Sequence, residues 1–141
     1  MNGKIGERPR FQAGMMSLLK TWLLRWGPAV VIMALIFIAS GTPGDELPRF
    51  GVLDLFAKKG GHIAGYALLA LSYLRGLTRG GRVNRRMLVL AVVLSGLYAA
   101  SDEFHQSFTP GRTPSAVDVG IDTTGAALGG AAWAWIKSLR R

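Results

Sequence analysis

Four apolar blocks, separated by short charged or Gly/Pro-rich segments, constrain this chain more than any other feature. A soluble domain of 141 residues would interleave charge through its helices, whereas here polar and apolar residues are segregated. Half of the residues are hydrophobic and the mean hydropathy is +0.29. The blocks predict helices over about 22–40, 58–75, 86–106 and 116–137. The expected fold class is therefore an all-α membrane protein, a four-transmembrane-helix bundle, because helices satisfy their own backbone polar groups in lipid. Residues 1–21 read as a polar, basic, loosely ordered tail, and residues 22–141 as one membrane domain.

The chain is strongly basic, at +9. In a soluble protein that charge would point to nucleic acid, but in a membrane protein its distribution matters more than its sum. The N-terminal segment to Arg25, the 75–86 loop and the C-terminus hold thirteen of seventeen Lys/Arg and a single acid, Glu7. The other seven acids fall with Arg49, Lys58, Lys59 and Arg112 in the remaining segments. The positive-inside rule then predicts both termini and the Arg-rich loop in the cytoplasm of a bacterial cell membrane. The arginines read as topology determinants resting on anionic lipid rather than as a nucleic-acid site. Trp22, Arg25 and Trp26 stand at the start of the first block, where an interfacial aromatic belt belongs. Ala39-Ser40-Gly41 after an apolar run could follow a cleaved signal sequence, but the preceding tail and the roughly 19-residue span favour a retained helix.

Three of the blocks run out of apolar residues before about 20 positions, the length a span needs. Counting from the cytoplasmic anchors places Lys58, Lys59 and His62 in the outer part of the second helix. It places Asp102, Glu103, His105 and Gln106 in the third, and Asp118 and Asp122 in the fourth. Charges facing lipid cost about 2.5–3.5 kcal/mol each at mid-membrane on insertion scales, so these groups should face one another or a wet cavity. Lys59, His62 and Tyr66 share one helical stripe, Asp102 and Gln106 another, and Asp118 and Asp122 a third. Gly125 and Gly129 extend that third stripe as a small-xxx-small packing face.

Bland readings compete at each position. Ser115 and Asp118 match a capping box, while Asp122 lies a turn too deep for capping. Asp102 and Glu103 oppose a helix dipole and call for a cation, with Lys59 and Arg112 available. Glu46 and Asp54 read as solvated loop charges. A structural salt-bridge network would satisfy the whole set. Among the chemistries, His62 or His105 beside an acid could act as general base. Lys59 and Arg112 could hold a phosphate or carboxylate, Arg112 bidentately. No cysteine is present, so disulfides and thiolate chemistry are excluded. No metal-ligand spacing occurs, so no metal and no cofactor are expected.

KKGGHIAGYALLAL and SDEFHQSFTPGRTPSAVDVGIDTTGAALGG resemble the two motifs of VanZ-like membrane proteins, and SGTPGDELP resembles the segment after that family's first helix. The likeness covers about residues 30–130. It implies characteristic positions at Lys59, His62, Tyr66, Asp102, Glu103, Gln106, Arg112, Asp118, Asp122 and Gly125. Two departures alter local charge: Lys58 stands where many members have an acid, and Asp122 where many have Asn. The resemblance also implies a cell-envelope role, with a link to teicoplanin sensitivity. Together with the residues it predicts an external pocket that binds an anionic lipid or lipid-linked envelope precursor. The competing expectations are an intramembrane hydrolase or transferase on lipid head groups, and a structural helper subunit. No nucleic-acid partner is expected.

Overall fold

The computed structural model describes residues 8–43, 52–79 and 81–139. All of the regular structure among them is helical: α1 (Arg8–Ser40), α2 (Val52–Thr78), α3 (Arg85–Gln106) and α4 (Ala116–Leu139). The 41–59 loop expected from its glycines and prolines falls partly outside the described residues, and with it Glu46 and Arg49. The side chains of Asp54 and Lys58 are outside them too.

Helix α1 departs most from expectation. It begins at Arg8 instead of near Trp22 and continues through Pro28. Met, Leu, Gln, Lys and Arg recur between Arg8 and Arg25, and these straight-chain residues lose little rotamer freedom in a helix. Their sum outweighs Gly14 and the scattered charges that read as a tail. Helix α2 also starts earlier than expected, at Val52. Helix α3 is fixed at its start by Asn84, whose side-chain oxygen accepts from the Met87 N–H at 2.8 Å.

Among the described residues two helices, not four, are apolar enough over a full span to qualify by composition: Gln12–Ser40 and Arg85–Gln106. The shortfall in α2 and α4 has a physical source. Both carry charged residues toward their two ends and several glycines, and these lower the mean hydropathy of any full-length window.

Helix α4 packs against α2 and α3, while α1 lies mainly on α2 and only lightly touches α3. Glycines make the α2–α4 approach close. A Cβ at Gly125 would come within 2.6 Å of the Ile63 carbonyl oxygen, and one at Gly129 within 2.8 Å of the Ala67 Cβ. The stripe read as small-xxx-small is thus a helix-packing face. The core is small and built from Ala29, Tyr66, Leu69, Ala70, Ala99 and Ala126. Large apolar residues instead cover the outside, including Val30, Leu35 and Ile38 on α1, Val93 and Leu97 on α3, and Leu128 and Trp135 on α4. An apolar exterior of this extent suits lipid or a partner protein, not water.

Candidate functional site

The start of α2, the end of α3 and the start of α4 meet at one end of the bundle. A cavity of about 160 Å³ opens there, lined by Lys59, His62, Glu103, Gln106, Arg112, Asp118, Ile121 and Asp122. Seven of these lining residues are polar or charged, and five of them, Lys59, His62, Gln106, Asp118 and Asp122, belong to the helical stripes read from the sequence. At ~30 Å³ per liquid water, the space holds about five waters or a headgroup-sized group, but no acyl chain.

Each polar wall is built locally. Lys59 and His62 lie three residues apart on α2, and Asp118 and Asp122 lie four apart on α4, so two neighbouring pairs form across the packed α2–α4 face. The Lys59 Nζ lies 3.3 Å from Asp118 Oδ1, with both side chains partly exposed. The His62 Nδ1 lies 3.3 Å from Asp122 Oδ2, with the aspartate only 3 % exposed. A carboxylate can only accept, so this contact assigns the proton to Nδ1 and leaves Nε2 as the free ring nitrogen. The second Asp122 oxygen, Oδ1, is buried without a partner among the described residues.

The acids of α3 are not held as the sequence implied. Asp102 accepts from the Ser40 hydroxyl and, at 3.0 Å, from the Gln106 side-chain amide. Glu103 accepts from the Ser115 backbone N–H at 2.8 Å. Among the described residues neither acid has a cation within ion-pair distance, so the expected pairing with Lys59 or Arg112 is replaced by neutral donors. The capping box changes partners for the same reason. The Ser115 hydroxyl still caps, accepting from the Val117 N–H at 3.2 Å. The return bond to the Ser115 N–H, expected from Asp118, comes from Glu103 on another helix. Asp118 is thereby released to pair with Lys59.

Arg112, in the turn between α3 and α4, donates through Nε to the Thr42 carbonyl at 3.3 Å. That bond ties the turn to the end of α1 and positions the guanidinium on the cavity wall.

Three sequence-derived residues, Tyr66, Asp102 and His105, lie away from the cavity lining. Tyr66 is fully buried beneath it, stacked near His62 at 6.4 Å between ring centroids and near Tyr98 at 6.3 Å. Its hydroxyl has no partner among the described residues. His105 faces α1 instead, with its ring 4.0 Å from Phe37 and its Nδ1 buried and unpaired. Asp102 lies behind Gln106 as a support and not as a wall. Two contributors escaped the sequence reading. Ile121 is the apolar wall, and its place one turn after Asp118 was the available signal. Ser40 is the donor to Asp102, and it is the polar residue that ends the first apolar block.

Among the described residues no group of three or more His, Asp or Glu side chains is arranged to hold a metal ion.

The family model described as VanZ/LLP1 matches residues 26–137, which include every wall of the cavity. No curated protein and no solved structure matches the chain.

Proposed function

The chain belongs to the VanZ/LLP1 family, and we propose that it is a polytopic cell-envelope protein that binds an anionic lipid or lipid-linked headgroup in the cavity. In this reading all four helices span the cytoplasmic membrane, with both termini and the Arg-rich loop inside. The cavity then opens toward the outer leaflet. Family membership and two apolar helices point to a membrane protein, and the apolar exterior supports the remaining spans.

One observation carries the ligand class: Lys59 and His62 from α2 and Arg112 from the α3–α4 turn meet at one small cavity. The guanidinium offers its terminal nitrogens in a planar fork suited to phosphate or carboxylate oxygens. The Lys59 ammonium adds a second positive point. By family analogy alone, such binding would bear on sensitivity to teicoplanin.

The His62–Asp122 contact favours a second reading, a hydrolase or transferase on a lipid head group. An imidazole whose Nδ1–H is held by a carboxylate presents Nε2 as a general base. A helper subunit, in which the polar cluster only holds helices together, is the third.

Lipid binding by Arg112→Gln and His62→Gln proteins separates these readings. A binding pocket loses lipid in Arg112→Gln while folding is kept. An enzyme loses turnover of a headgroup in His62→Gln while lipid is still bound. A structural network loses thermal stability in both.

A further inference from the structure

The charges around the cavity do not suit an anion alone. Two cations, Lys59 and Arg112, line it together with three acids, Glu103, Asp118 and Asp122, and His62 adds a third cation only when protonated. The lining is therefore formally neutral at most. The opposite end of the bundle shows the other arrangement. There Arg25, Arg75 and Arg79 line a notch beside Leu24, where α1 extends past its contact with the end of α2, and no carboxyl joins them among the described residues. A phosphate placed by itself in the cavity would stand close to three acids, and like charges at that range repel strongly in a partly buried site.

Two of the lining charges are held without a partner of opposite sign. Lys59 is committed to Asp118 and His62 to Asp122, each at 3.3 Å. Glu103 and Arg112 remain. Among the described residues neither has an oppositely charged group within ion-pair distance, and they do not pair with each other although both line the same cavity. Their anchors explain the separation. Glu103 Oε2 accepts from the Ser115 N–H at 2.8 Å, and Arg112 Nε donates to the Thr42 carbonyl at 3.3 Å. Both partners are backbone groups, one just before α4 and one just after α1, so each side chain is tied by one atom to a fixed point. Glu103 Oε1 and the terminal guanidinium nitrogens make no hydrogen bond among the described residues. Glu103 is only 7 % exposed, and a carboxylate with so little water around it is costly unless a cation meets it.

An open anion and an open cation, anchored apart on one small cavity, match a ligand that carries both charges. We propose that the ligand is a lipid headgroup in which an ammonium accompanies the phosphate, of the phosphoethanolamine kind. The phosphate takes the fork of Arg112, as in the proposed function on which this inference rests, and the ammonium donates to Glu103 Oε1. Bound in this way, the headgroup adds no net charge to the lining and gives the buried carboxylate its cation. A glycerol headgroup offers the same oxygen a hydroxyl but leaves its charge unmet. Free phosphoethanolamine shares the recognised chemistry and lacks the acyl chains.

The test is retention of phosphatidylethanolamine, phosphatidylglycerol and phosphatidylcholine, with matched acyl chains, by protein in neutral detergent. Native mass spectrometry reads it, with the unfolding temperature measured on the same samples. Wild type should retain phosphatidylethanolamine over phosphatidylglycerol by at least about tenfold, the worth of one charge-assisted hydrogen bond. Phosphatidylcholine, whose quaternary nitrogen has no N–H to donate, should bind more weakly than phosphatidylethanolamine. Glu103→Gln keeps an acceptor for the Ser115 N–H and removes the charge. It should bring phosphatidylethanolamine down to the level of phosphatidylglycerol, which stays bound. Free phosphoethanolamine should compete only at concentrations well above that of the lipid. Equal or better retention of phosphatidylglycerol or phosphatidylcholine by wild type would overturn the inference. So would an unchanged preference in Glu103→Gln, since Glu103 would then only cap α4. Free phosphoethanolamine binding as tightly as the lipid would overturn the assignment to a lipid. Arg112→Gln separates the two levels. Loss of all three lipids there, with no preference in wild type, sinks this inference alone, whereas full retention sinks the proposed function with it. If Glu103→Gln does not fold, the wild-type preference decides.

Discussion

Asp102 is buried at 2 % exposure and held by two neutral donors, the Ser40 hydroxyl and the Gln106 amide. Removing one should therefore be costly. Ser40→Ala should destabilise the protein by about 1–3 kcal/mol, the penalty for a buried acceptor left short of a donor, and thermal unfolding in detergent measures it. The His62–Asp122 contact makes a different prediction. Asp122→Asn keeps the shape but replaces an acceptor-only group with an amide that can present either donor or acceptor. It should alter headgroup binding with little loss of stability, checked by lipid retention and unfolding on the same samples. At this scale the sequence was informative about which residues are special and less so about their partners. Asp118 and Asp122 were legible because helical spacing puts them on one face. The partner of Glu103 was not, because the Ser115 N–H reaches it through a turn whose path the spacing does not specify. Asp102 was assigned a cation by helix-dipole reasoning, which could not see Ser40, 62 positions away.

Among the elements, the α2–α4 pair positions the cavity, and its glycines set the distance between the two helices. Gly129→Leu would drive a side chain into the Ala67 Cβ and backbone, and Gly125→Leu into the Ile63 backbone. Backbone cannot yield as a flexible side chain can. Each substitution should cost about 1–3 kcal/mol or more and open the cavity wall, so unfolding and lipid retention should fall together. Gly60→Ala, on α2, meets nothing within 4 Å and should be neutral in both assays. The small-residue stripe was readable in advance because its period matches the helix. The first third of α1 was not. Its mixed composition hides good helix formers among isolated charges, and its described residues from Gln12 on are exposed on every face.

The whole molecule has two charged ends of unlike design. One is a small cavity where cations alternate with acids, and the other an open notch of arginines beside exposed leucines. The charge asymmetry along the chain made the two ends legible, whereas the projection of α1 that shapes the notch was not. The proposed topology places these ends on opposite sides of the membrane. A cysteine at Thr109 should then label with an impermeant thiol reagent on intact cells, and one at Ser138 only after permeabilisation. The reverse pattern would move the cavity to the cytoplasmic side. The central claim is that the cavity binds an anionic headgroup through Arg112 and Lys59. Its most direct test is the lipid co-purifying with wild type and with Arg112→Gln/Lys59→Gln, identified by native mass spectrometry. The account predicts an anionic lipid or lipid-linked phosphate on the wild type, lost from the double variant while its unfolding temperature is kept. The same bound species at the same occupancy in both proteins would contradict it.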